Sequence, residues 1–100
     1  MIQELIEQLE STWEVDTGFF YKLRQGIFDR NLNNEFLNLL KTISFEDDEM
    51  ISSRVVSLLW YIPLFMEWQK ERVGKTMGIE EYNMLKQNIE NELERILGVP

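Results

Sequence analysis

The chain contains no cysteine and no histidine. No disulfide framework and no thiolate metal site can form, and the composition suits a reducing compartment without requiring one. Without histidine there is no Ser-His-Asp or Cys-His arrangement, no zinc site of the ordinary type and no Glu-x-x-His di-metal helix. Proline and glycine are sparse, at two and five of 100 residues. No repeat, low-complexity run or Gly/Ser linker interrupts the chain, so residues 1–100 read as one domain. Long apolar runs are missing too. The most apolar stretch, Val55–Met66, is shorter than the roughly 20 residues of a spanning helix and contains Pro63. The opening residues Met-Ile-Gln-Glu-Leu-Ile-Glu lack the basic and apolar regions of a signal peptide. The expectation is a cytoplasmic protein with no membrane association.

Bases are scarce relative to acids, 10 against 18, for a formal net charge of −8. Such a field repels nucleic-acid phosphates and anionic lipid and attracts basic protein surfaces. Solubility alone also accounts for an acidic balance. The charge is uneven. Residues 1–16 carry Glu4, Glu7, Glu10, Glu14 and Asp16 with no base, and residues 46–53 carry Glu46-Asp47-Asp48-Glu49 with none. The last third is acidic again, whereas residues 17–45 and 54–78 each hold more bases than acids.

What is abundant is apolar residues, 44% of the chain, with 12% aromatic. That excludes a disordered acidic tail and supports a modest core. The apolar spacing is helical throughout, and no run alternates with period two. The expected fold is all-α, a compact single-domain helical bundle of about five to seven helices with no sheet. Ile2, Leu5, Ile6, Leu9 and Trp13 form one stripe. Asp16 or Thr17 can cap a second helix carrying Phe19, Phe20, Leu23 and Ile27, with Gly26 near its end. Asn31, Asn33 and Asn34 mark a turn and a third cap, before Phe36, Leu37, Leu40 and Ile43. Ser44 or Asp47 can open a fourth helix, whose carboxylate-rich first turn would suit the positive end of the helix dipole. Pro63 cannot donate to Leu59, so that helix should kink or split near 59–63. Gly74 and Gly78 should end it. A last helix over about 80–97 carries Tyr82, Leu85, Ile89, Leu93 and Ile96 on one side, with Gly98 as its stop.

The fourth helix carries the clearest functional signal. At 100° per residue, Ile51, Val55, Leu58, Leu59, Ile62, Phe65, Met66 and Val73 fill one arc, while Trp60, Tyr61, Leu64 and Trp68 lie on other sides. A central bundle helix accounts for this pattern; so does a helix that displays aromatics for binding. On the second reading Tyr61 and Trp68 anchor an interface, and Asp47, Asp48 and Glu49 attract lysine and arginine on a partner. Glu67 and Glu71 stand beside the aromatics and can also pair with Lys70 or Arg72 on the same helix. The acidic cluster lacks the spacing and central glycine of a calcium loop, and Gly74 and Gly78 do not form a phosphate loop. No metal or other cofactor and no catalytic residue is expected. A hydrolase built on two carboxylates would need a cleft that a small helical chain has little room to form.

Two stretches, Val15-Asp16-Thr17-Gly18-Phe19-Phe20-Tyr21-Lys22-Leu23-Arg24-Gln25-Gly26 and Leu59-Trp60-Tyr61-Ile62-Pro63-Leu64-Phe65-Met66-Glu67-Trp68, resemble small all-helical immunity proteins of bacterial contact-dependent growth inhibition systems. The resemblance implies a cytosolic protein that binds a cognate toxin domain, here a basic RNase of ribonuclease A-like fold, and blocks its active site or substrate cleft. It implies no catalytic residues. It leaves the contacts to the residues named above: Asp47, Asp48, Glu49, Tyr61, Glu67, Trp68 and Glu71. The chain would be a monomer outside the complex. A different class, a non-catalytic helical adaptor or homodimeric regulatory subunit using the Trp60–Trp68 face, fits the same composition.

Overall fold

The computed structural model describes residues 2–100, and among them there are six α-helices and no strand. The helices are α1 (Ile2–Ser11), α2 (Phe19–Arg24), α3 (Arg30–Thr42), α4 (Ser53–Trp60), α5 (Ile62–Met77) and α6 (Ile79–Leu97). They enclose one apolar cluster within a body of 42 × 29 × 20 Å. The all-α fold is therefore as the periodicity requires.

Helix α1 turns Leu9 fully inward and lays Leu5 and Ile6 against the cluster, while Ile2 stays exposed. Trp13, just past its end, stacks on Phe20 at 4.5 Å and meets Phe65 edge-on at 5.0 Å. Helix α2 is short, and half of its six residues are core: Phe19, Phe20 and Leu23 are buried. Each such side chain contributes roughly 2–3 kcal/mol through its removal from water. Ile27, expected on this helix, lies beyond its end and is exposed.

Neither Asp16 nor Thr17 caps α2. The N-cap is Gly18, with no side-chain hydrogen bond. Its backbone passes so close to the preceding turn that a Cβ would lie 2.4 Å from the Thr12 carbonyl oxygen. That same oxygen accepts from the Phe20 N–H at 2.9 Å. Close backbone approach, rather than a side-chain cap, decides where α2 begins.

The cap of α3 is Asp29, whose Oδ1 accepts from the Leu32 N–H at 3.0 Å. Asn31, Asn33 and Asn34, expected at the turn, are all inside the helix, and Asn33 is buried. At its far end the guanidinium of Arg95 donates to the carbonyls of Leu40 and Ile43, 2.9 Å each. A side chain from α6 thus adds a second donor to the Leu40 carbonyl, which also accepts from the Ile43 N–H at 3.0 Å, and supplies one to the carbonyl of the cap residue Ile43.

Glu46-Asp47-Asp48-Glu49 does not open a helix; α4 starts only at Ser53. The four acids form an exposed turn in which the Glu49 N–H donates to the Glu46 carbonyl and the Glu49 carboxylate accepts from the Glu46 N–H, both at 3.0 Å. Ile43 on one side and Ile51 on the other are held by the core. Four adjacent like charges, two of them on the poor helix former aspartate, favour an irregular crossing between those anchors.

Pro63 acts as expected. It occupies the first turn of α5, where a missing N–H costs nothing, and Tyr61 is at once the end of α4 and the start of α5. The inward arc is as the wheel places it from Val55 on: Val55, Leu58, Leu59, Ile62, Phe65, Met66 and Val73 are buried, while Ile51 precedes α4 and is only partly buried. Gly74 lies buried within α5 rather than at its end, and Gly78, at φ +96°, makes the one-residue turn into α6. Helices α5 and α6 form the broadest helix pair. Tyr82, Ile89, Leu93 and Ile96 face inward, and the buried Tyr82 hydroxyl donates to the Met66 carbonyl at 2.7 Å.

Candidate protein-binding face

The break at Pro63 leaves an aromatic group on the surface. Trp60 and Trp68 are 55% and 59% exposed, and Leu64 between them is 41% exposed. Large apolar side chains at such exposure, repeated at every fourth residue, leave a contiguous stripe facing water. Tyr61 sits behind it. Its ring packs edge-on to Trp60 at 5.6 Å and to Trp68 at 5.8 Å. On its inner side it approaches Trp13 at 6.1 Å and Phe65 at 6.4 Å. Tyr61 is therefore half-buried, a buttress joining the surface rings to the core, and Trp60 and Leu64 stand with Trp68 as the accessible members. The expected anchor set omitted Trp60 and Leu64, although the spacing 60, 64, 68 marks one stripe.

The charges around this stripe are ordered. Glu67 lies between Lys70, at 3.7 Å, and Lys86 of α6, at 3.4 Å. Lys86 also pairs with Glu90 at 2.8 Å. Burial disfavours the charge on Lys86, but Glu90 and Glu67 together outweigh it and raise its pKa above the ordinary lysine value. Glu67 is thus committed to the α5–α6 contact, in part with the neighbour expected for it. Arg72 instead donates to the Arg24 carbonyl and to Gln69. Glu71 is exposed and, among the described residues, forms no ion pair.

Asp47, Asp48 and Glu49 are exposed but are not part of the aromatic stripe. They lie in the turn before α4, whereas Tyr61 closes that helix and Glu67, Trp68 and Glu71 lie on α5. The expected residues therefore fall into two groups: Asp47, Asp48 and Glu49 on the turn, and Tyr61, Glu67, Trp68 and Glu71 at the α4–α5 junction and along α5.

The two flanks of the stripe differ. On one side of Tyr61 a recess of about 320 Å³ is bordered by Arg24, Arg54 and Glu10. Arg54 is held there by Glu10 at 2.7 Å, and the Arg24 guanidinium lies 5.3 Å from the centre of the Phe65 ring. On the other side, Trp60 and Pro63 meet Glu90, Leu93, Glu94 and Leu97 of α6 across an open groove of about 450 Å³. Among the described residues no group of three or more Asp or Glu side chains is placed to hold a metal ion. Among the same residues no helix is long and apolar enough to cross a membrane. Compared with protein-family models, curated proteins and solved structures, the chain matches none.

Proposed function

We propose that this protein acts by binding rather than by catalysis, as an immunity-type inhibitor that occupies a basic toxin domain, in particular the substrate cleft of an RNase. One observation carries the reading: an exposed Trp60–Leu64–Trp68 stripe on a chain of net charge −8. Trp60 closes α4 and Trp68 lies on α5; aromatics exposed on helices offer large desolvation at low entropic cost, and tryptophan is enriched among residues that dominate interfaces. An RNase domain presents lysine and arginine to hold phosphates, so opposite fields would speed the encounter. The resemblance to contact-dependent growth inhibition immunity proteins points the same way and adds a cytoplasmic location and a bacterial source. Asp47, Asp48 and Glu49 would act in attraction, and Trp68 and Trp60 in the desolvated contact.

The test is calorimetry and an RNase-inhibition assay with the toxin domain encoded beside this chain. The neighbouring gene to seek is a large secreted protein with a basic C-terminal domain. Tight binding with loss of RNase activity is expected; no heat and no inhibition would remove the reading. The exposed stripe equally offers a surface for a second copy, as in a homodimeric regulatory subunit. Sedimentation at several concentrations separates the two, since the inhibitor is expected to be a monomer when free.

A further inference from the structure

The geometry points to the groove between the start of α5 and the end of α6 as a site for an arginine side chain presented by the partner. This inference rests on the proposal of a basic protein partner and names where one of its cations is held. The floor is apolar, formed by Pro63, Leu93 and Leu97, and the indole of Trp60 forms one side. Glu90 and Glu94, four residues apart on one face of α6, form the other.

Three features make this groove electronegative beyond its composition. The C-terminal end of the 19-residue α6 carries the negative end of the helix dipole, about half an elementary charge. Glu94 adds a carboxylate to that last turn, against the dipole. Arg95, the one base in the turn, is spent elsewhere: it donates to Leu40, Ile43 and Glu92. Glu90 is already balanced by Lys86, whereas Glu94 makes no ion pair among the described residues. The groove is thus left with uncompensated negative charge beside an exposed indole face.

A guanidinium suits that combination better than an ammonium. It is planar, stacks on an aromatic face and directs its N–H donors sideways toward a carboxylate. Its three-carbon stem would lie along Leu93 and Leu97. The opposite flank of Tyr61 already holds Arg24 and Arg54 and would repel the same group.

The probe is Nα-acetyl-arginine methylamide, with the neutral citrulline analogue as control, titrated into isotopically labelled protein and followed by amide and indole N–H resonances. Arginine is expected to shift the Trp60 indole and the amides of residues 94–98 in a saturable way, and citrulline to leave them unmoved. Glu94→Gln and Trp60→Ala should each weaken the response about threefold or more, and Trp68→Ala should change it by less than about twofold. Glu94 is exposed and, among the described residues, makes no side-chain hydrogen bond or ion pair, so its variant keeps the test valid if the tryptophan variant unfolds. Shifts concentrated at Asp47–Glu49 or along α1, and insensitive to Glu94→Gln, would overturn the groove while leaving a basic partner in place. So would a response indifferent to citrulline, or no saturable response. If arginine binds here but the toxin domain does not, the groove stands and the reading of the partner falls.

Discussion

The Tyr82 hydroxyl and the Met66 carbonyl oxygen are 2.7 Å apart inside the α5–α6 contact, and no water reaches them. Burial, and secondarily the charge of Glu67, pushes the Tyr82 pKa well above the ordinary phenol value, because ionisation would strand an anion in the core. Tyr82→Phe should cost about 1 kcal/mol, the usual net value of one buried neutral hydrogen bond, measured by urea unfolding at pH 7. The raised pKa means that the neutral phenol stabilises the fold below about pH 10, its unfolded value, and that this contribution declines as pH rises above it. The gap between parent and Tyr82→Phe should therefore narrow above pH 10; a constant gap would contradict a neutral, buried hydroxyl.

The cap at Asp29 gives a prediction at the other end of the pH scale. The Leu32 N–H, and then Lys22, stabilise its carboxylate and lower its pKa. A carboxylate with a depressed pKa contributes stability above its unfolded value near pH 3.9, and loses it as pH falls through the folded value. Asp29→Ala should cost about 1 kcal/mol at pH 7. The cost should shrink below pH 4, as read from the two denaturation midpoints.

Gly18→Ala should be among the most damaging single changes. Its Cβ would meet backbone atoms of Thr12 and Glu14, at 2.4 and 2.7 Å, and neither is the movable end of a side chain. The turn that carries Phe19 and Phe20 would have to shift, at a cost of about 1–3 kcal/mol. A thermal midpoint within a degree or two of the parent would contradict the close approach.

Electrostatic and desolvated contributions to binding should separate kinetically. With the toxin domain as ligand, Asp47→Asn combined with Asp48→Asn should slow association, an effect that fades as salt rises, and leave dissociation nearly unchanged. Trp68→Ala should instead speed dissociation and cost on the order of 2 kcal/mol, with unfolding stability close to the parent because the side chain is largely in water. The reverse pattern in surface plasmon resonance would exchange the roles assigned to the two groups.

Apolar spacing made most of the fold legible, because the wider apolar face of an amphipathic helix turns to the core. The inward arc from Val55 to Val73 and the buried face of the last helix follow from such spacing, and the break at Pro63 from the missing proline N–H. Caps were less legible. Asp16 and Thr17 have good capping chemistry, yet α2 starts where Gly18 lets the backbone close on Thr12; Asp29, just ahead of the asparagines, holds α3.

The candidate site divides the same way. Tryptophans at 60 and 68 with a leucine between them are a property of the sequence, as is the net charge of −8. That Tyr61 is a half-buried support, that Glu67 is tied to Lys86 and that the acidic turn lies outside any helix were decided only by tertiary structure. The physical reason is that periodicity reports which residues share a face of their own helix. Which other helix meets that face, and which charges are thereby paired or left free, depends on how α5, α6 and the α3–α4 crossing pack together.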